Sequence, residues 1–222
     1  MRLLARALSR LLDALAPPSC AACDAPCCST FCAACGPLAP LPLTEAGELA
    51  GVPLVVAGSY APPLSTAITR FKYEGRAELS RGLSALLAPG LEQLRLPADT
   101  TLAPVPLHPR RLASRGYNQA ALLAQDLAKQ GAWHCDPRLL RRARETERQV
   151  GKSRALRLTN ADGAFELRRQ ASRATAHASV VRVVLVDDVV TTGSTVRACA
   201  QALAEGGVQL AAVVALARAL SS

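Results

Sequence analysis

One stretch of thirteen residues, 183–195, limits what this chain can fold into more than any other: Val-Val-Leu-Val-Asp-Asp-Val-Val-Thr-Thr-Gly-Ser-Thr. Its opening Val183, Val184, Leu185 and Val186 form an unbroken aliphatic run that is β-branched at three positions. Such a run reads as a strand buried on both faces, at the centre of a parallel sheet. Asp187 and Asp188 end the run, and Thr191, Thr192, Gly193, Ser194 and Thr195 follow as a loop of small residues. Val196, Cys199, Ala200 and Leu203 then recur at helical spacing. The order is strand, loop, helix. A loop in that position directs backbone N–H groups and hydroxyls to the positive end of a helix, where a phosphate dianion is favoured. Gly193 allows the backbone to close on it. The two acids fall where open α/β sheets place their ligands, and as carboxylates they accept hydrogen bonds from vicinal sugar hydroxyls.

These residues resemble the phosphoribosyl pyrophosphate (PRPP) signature of type I phosphoribosyltransferases, which consists of a hydrophobic run, an acidic pair and a Thr-Thr-Gly-type loop. The resemblance implies an α/β fold with a central, mostly parallel sheet flanked by helices. It also implies that Asp187 and Asp188 hold the ribose 2′- and 3′-hydroxyls as the catalytic acids, and that residues 191–195 hold the 5′-phosphate. PRPP would enter with magnesium.

A second constraint lies near the N-terminus, where six of the eight cysteines fall between Cys20 and Cys35. Cys20-x2-Cys23 and Cys32-x2-Cys35 form two thiolate knuckles eight residues apart, a spacing that suits one tetrahedral zinc ion. Cys27 and Cys28 lie between the pairs, either spare or in competition for a ligand position. A disulfide framework suits secreted chains, and nothing in this sequence directs secretion. A lobe this small has little core of its own, so the metal's expected task is structural.

The 222 residues, half of them hydrophobic, suffice for one main domain and a small appendage. The expected division is 1–47, an N-terminal helix with a zinc knuckle or double zinc ribbon, and 48–222, a phosphoribosyltransferase-like domain. Leu4, Leu8, Leu11, Leu12 and Leu15 predict an amphipathic helix over residues 2–16 that ends at Pro17-Pro18, and residues 37–51 read as a linker. Strands are expected at 52–60, 101–105 and 208–216, and helices at 65–73 and 117–130. The stretch 71–75 reads by composition as the capped end of a core helix, with Gly75 as its stop. Residues 106–116 read as a loop carrying His108 and the basic residues Arg110, Arg111 and Arg115, whose guanidinium forks match pyrophosphate oxygens.

The formal net charge is +9, and +7 of it falls in residues 138–173, with eleven basic residues against four acids. Only three of the 26 basic residues are lysines, so composition by itself says little about partners. The run includes Arg141, Arg142, Arg144 and Arg148, and suits either pyrophosphate or a nucleic-acid backbone. With only three Tyr, three Phe and one Trp, a long base-stacking platform is not expected. No apolar stretch approaches the ~20 residues needed to span a bilayer. The chain is expected to be cytoplasmic.

Several further motifs narrow the resemblance. They are Phe71-Lys72-Tyr73-Glu74-Gly75, Pro104-Val105-Pro106, Arg115-Gly116-Tyr117-Asn118-Gln119, Arg144-x-Thr146-x-x-Gln149, Arg157-x-x-Asn160 and Gly163-Ala164-Phe165. With the cysteine pairs they resemble the ComF (competence protein F) family over nearly the whole chain. That resemblance implies a part in natural competence, in DNA uptake and transformation, with single-stranded DNA and a DNA-translocating ATPase as partners. It also implies a mobile lid over residues 141–152, which places Arg144 and Arg148 with Arg110, Arg111 and Arg115 as pyrophosphate or DNA ligands. Two alternatives stand beside it: a PRPP- or nucleotide-sensing protein without turnover, and an active salvage-type phosphoribosyltransferase whose acceptor the sequence does not name.

Overall fold

In the computed structural model the central strand of this protein is β7 (Arg182–Val190), which continues through both acids of the signature. The structure describes residues 19–38, 47–131, 133–143, 164–168 and 181–219. The expected helix over 2–16, the middle of the linker and most of the lid, with Arg144 and Arg148, lie outside the described residues.

Seven further strands accompany it among the described residues: β1 (Glu48–Leu49), β2 (Val52–Ser59), β3 (Thr101–Pro104), β4 (His134–Cys135), β5 (Leu140–Arg142), β6 (Phe165–Leu167) and β8 (Gln209–Arg218). Six of the eight form one sheet in the order β1-β2-β8-β7-β3-β4, parallel throughout except for the edge pair β1-β2. β5 and β6 make a separate antiparallel hairpin. β7 is flanked on both sides, by β8 and β3, as the aliphatic run predicts.

Alternation along β7 divides its side chains between two cores. Val184 and Val186 face one layer with helices α1 (Leu64–Tyr73), α2 (Leu79–Ala85), α3 (Ala88–Gln93) and α5 (Gln119–Gly131). Val183 and Leu185 face the other, with α6 (Ser194–Glu205) and the β5-β6 hairpin. This two-sided burial explains why the four residues between Arg182 and Asp187 are all aliphatic. Cys20, Ala21, Phe31 and Cys32 of the cysteine lobe are buried in the first of these cores, beside α1 and α2.

Two expectations are corrected. Residues 106–116 are not a loop throughout: Pro109–Arg115 forms a short helix, α4, with Pro109 in its first turn and Gly116 ending it in the left-handed region. The His108 side chain accepts the Arg110 N–H and caps the helix, which three basic residues and a proline had disguised. The linker also ends earlier than expected, because Glu48 and Leu49 pair with Pro53 and Val52 across a turn at Ala50 and Gly51. Both turn residues have positive φ, as a tight two-residue hairpin requires.

Candidate phosphoribosyl site and cysteine cluster

Because β2, β8, β7 and β3 run parallel, their carboxyl ends open on one side of the sheet, and a cleft of about 390 Å³ lies there. Asp187, Asp188, Thr191 and Thr195 come to it from β7, the loop beyond and the first turn of α6. Arg111 and Arg115 reach it from α4. Arg110, on the same helix, is exposed and does not line the cleft.

The acids differ in their surroundings. Asp188 Oδ1 lies 2.7 Å from Lys72 Nζ, and both side chains are only 14% exposed. Asp187 accepts the Asp188 N–H at 2.8 Å. Loss of hydration, and then the neighbouring Asp188 charge, raise its carboxyl to about 7, against the lowering influence of that hydrogen bond and of Lys72.

The loop after β7 leads into α6, and the helix begins at Ser194, so Ser194 and Thr195 belong to its first turn. Gly193 is the N-cap, with φ 75°, and has no side chain to satisfy the first amides. A Cβ there would stand 2.4 Å from Leu49 Cδ1, so the β1 edge presses on the loop and only glycine fits. Thr192 Oγ1 accepts the Ser194 N–H at 3.4 Å, and the Thr192 carbonyl accepts from Arg197 at 2.6 Å. An exposed turn thus comes to sit over an uncapped helix end, an arrangement able to receive an anion.

Two further basic residues line the cleft: Lys72, which was not among the expected ligands, and Arg142, which was expected only as part of the basic run. Lys72 appears in the sequence as part of a capped core helix, and α1 does bury Phe71 while Gly75 stops it at φ 69°; the same last turn carries Lys72 to Asp188. A lysine in a chain that otherwise prefers arginine was the available signal. Arg142, at the root of the β5-β6 hairpin, donates to the Pro106 carbonyl at 3.3 Å, lies over the Phe165 ring and lines the cleft. Burial lowers its basicity, as does the nearby Arg111 charge.

The four expected metal ligands converge. The Sγ atoms of Cys20, Cys23, Cys32 and Cys35 all lie within 4.8 Å of one another, with Cys23 and Cys32 at 3.7 Å. A disulfide needs about 2.05 Å. The edge of a tetrahedron of sulfurs about 2.3 Å from a central ion is about 3.8 Å. Burial opposes ionisation of Cys20, but N–H groups of Cys32, Ala22 and Cys23 outweigh it and bring the thiol down to about 6. Burial and the three neighbouring thiols push Cys35 up to about 12. Four thiolates cannot coexist at this distance without a cation between them, so the donor set fits a metal ion. Cys27 and Cys28 are not part of the cluster.

The sequence matches the model of the phosphoribosyl transferase domain over residues 112–222. Competence protein F of Haemophilus influenzae is 38% identical over 175 residues, which cover 75% of this chain and 72% of that protein. The DNA utilization protein YhgH of Salmonella typhi is 34% identical over 200 residues, covering 86% and 85%. Competence protein ComFC of Bacillus subtilis is 28% identical over 149 residues, covering 67% and 57%. Sheet order, cysteine cluster and relatives agree, and the chain belongs to the ComF family of proteins with a type I phosphoribosyltransferase domain.

Proposed function

We propose that the cleft binds PRPP. The observation that carries this reading is the juxtaposition of the Asp187-Asp188 pair, the uncapped start of α6 and the basic side chains of Arg111 and Arg115 around one cleft. In this reading Asp187 and Asp188 accept the ribose hydroxyls, and residues 191–195 hold the 5′-phosphate through amides and hydroxyls. Arg111 and Arg115, joined by Arg142, face the pyrophosphate. Magnesium, when bound with PRPP, supplies further neutralisation of the pyrophosphate charge. The chain's own residues fix the ribose and leave C1 accessible to a nucleophile, which is positioning and electrostatic work rather than covalent catalysis.

Calorimetric titration with PRPP and magnesium tests binding, and a pyrophosphate-release assay across nitrogenous acceptors tests turnover. Binding with release makes the protein a transferase; binding without release makes it a PRPP sensor. Absence of binding to the folded, metal-loaded chain overturns the reading.

The cysteine cluster is read as a structural zinc site. Four protein sulfurs complete a tetrahedron and leave no position open for catalysis. The names of the relatives, competence and DNA utilization proteins, support a role in the uptake or use of DNA; in this reading the protein acts in the cytoplasm alongside single-stranded DNA and a translocating ATPase. If the basic run 138–173 touches that DNA, affinity falls with salt at a slope of ~0.7 per phosphate contact. A salt-insensitive interaction removes this part of the reading.

A further inference from the structure

Four consecutive residues at the end of α1, Arg70 to Tyr73, each hold a different part of the molecule. Arg70, with its side chain 11% exposed, donates to the Asp24 carboxylate, to the Ala21 carbonyl at 3.4 Å and to Glu74 Oε2 at 3.1 Å. Phe71 is fully buried against the Tyr117 ring, and its carbonyl accepts the Tyr117 hydroxyl at 2.5 Å. Lys72 pairs with Asp188, and the Tyr73 ring lies under Arg115. Glu74 closes the turn through its N–H to the Arg70 carbonyl at 3.0 Å. One helical turn therefore joins the cysteine lobe to the acid pair.

Ala21 and Asp24 belong to the turn that carries Cys20 and Cys23, and Asp24 also receives Arg76 at 2.8 Å. The lobe makes a second attachment, Thr30 Oγ1 to the Gly82 carbonyl at 3.0 Å. A nearly buried guanidinium that loses its partners costs several kcal/mol, so Arg70 must follow the lobe when the lobe moves. The hydrogen-bonded turn passes that displacement to Lys72 two residues on. Lys72 and Asp188 are both mostly shielded from water, where the strength of an ion pair depends steeply on separation.

We propose that Asp24 and Arg70 are positioning residues for the ribose acids: the cysteine lobe, through Asp24 and Arg70, sets where α1 carries Lys72 and so how Asp188 is held. The proposal rests on the PRPP reading of the cleft for its binding readout. The metal enters as the group that keeps the lobe in shape, and the four sulfurs were shown above to suit one.

A double-mutant cycle on the full, metal-loaded chain tests it, with Asp24→Ala, Lys72→Met and the pair. Asp24 is half-exposed, so its replacement is expected to keep the fold and a full metal equivalent. Asp24→Ala is expected to weaken PRPP binding at least about fivefold. Asp24→Glu should restore it, and the loss should vanish in the Lys72→Met background, because contact-linked sites are non-additive. Additive losses, or full affinity in Asp24→Ala, overturn the proposal. Hydrogen exchange at residues 70–75 is read in parallel and does not depend on the ligand. If the wild-type chain binds no PRPP, the cleft reading fails, yet faster exchange there in Asp24→Ala, and in the wild type stripped of metal by a chelator, still supports the strut. Unchanged exchange in both overturns it.

Discussion

Lys72 Nζ stands 2.7 Å from Asp188 Oδ1, so an acid at the carboxyl end of β7 is already paired with a cation from a helix more than a hundred residues earlier. Asp187 beside it has no such partner among the described residues and is driven toward its protonated form, first by loss of hydration and then by the neighbouring Asp188 charge.

Removing the cation should therefore be felt at the acids. Lys72→Met leaves Asp188 shielded and unpaired, and single-partner loss of such a pair costs about 3–5 kcal/mol when burial is complete. The expected outcome is a lowered melting temperature, with Lys72→Met/Asp188→Asn more stable than Lys72→Met alone. Thermal denaturation of the three variants decides it.

Asp187 predicts a pH dependence with a definite sign. Its folded value, about 7, lies above the ordinary value of 3.8, so the protonated acid contributes stability that is fully present below 3.8 and lost as pH rises through 7. Asp187→Asn removes that loss. Its melting temperature should exceed the wild type's by more at pH 8 than at pH 5, and an equal difference at both would show that Asp187 titrates normally. In the wild type, PRPP affinity should rise between pH 6 and 8 as the acceptor ionises.

Gly193→Ala should damage the loop before α6 by two routes. Its φ of 75° costs an L-residue roughly 1–2 kcal/mol. The new Cβ also meets Leu49 at 2.4 Å. PRPP affinity is expected to fall more than tenfold, a loss of about 1.4 kcal/mol or more. Leu49→Ala in the same chain should recover part of it, and titration of both variants separates strain from collision.

Arg111→Ala with Arg115→Ala should distinguish the two ends of the ligand. PRPP binding should weaken while ribose 5-phosphate, which lacks the pyrophosphate, binds as to the wild type. Equal weakening of both ligands would place these arginines elsewhere than the pyrophosphate end. Arg110→Ala, on the exposed face of the same helix, should leave both unchanged.

Metal loss should reach beyond the cysteine lobe. Cys32→Ser is expected to lower the zinc content below one equivalent per chain, and a retained equivalent would bring Cys27 or Cys28 into the ligand set. Because Cys20, Phe31 and Cys32 are buried against the same core as α1, exchange protection in that helix should also fall.

The central strand, the acid pair, the small-residue loop with its helix, and the cysteine quartet were legible in the sequence, because each is written in neighbouring residues whose chemistry is local. Aliphatic β-branched runs favour strands, glycine permits positive φ, and paired Cys-x2-Cys knuckles hold sulfurs at a metal's spacing. The short helix after β3 escaped notice because its signals, a histidine cap and an early proline, are weak beside a run of arginines. What only the tertiary structure decided is which distant residues meet. Lys72 reaches Asp188 because β2 and α1 pack against β8 and bring the end of the helix to the mouth of the sheet. Asp24 reaches Arg70 because the cysteine lobe buries Phe31 in the same core. Leu49 reaches Gly193 because a two-residue turn folds it back along the edge of the sheet. Sequence spacing is silent on all three pairs, since long-range contacts are set by how elements stack their apolar faces and not by the residues beside them in the chain.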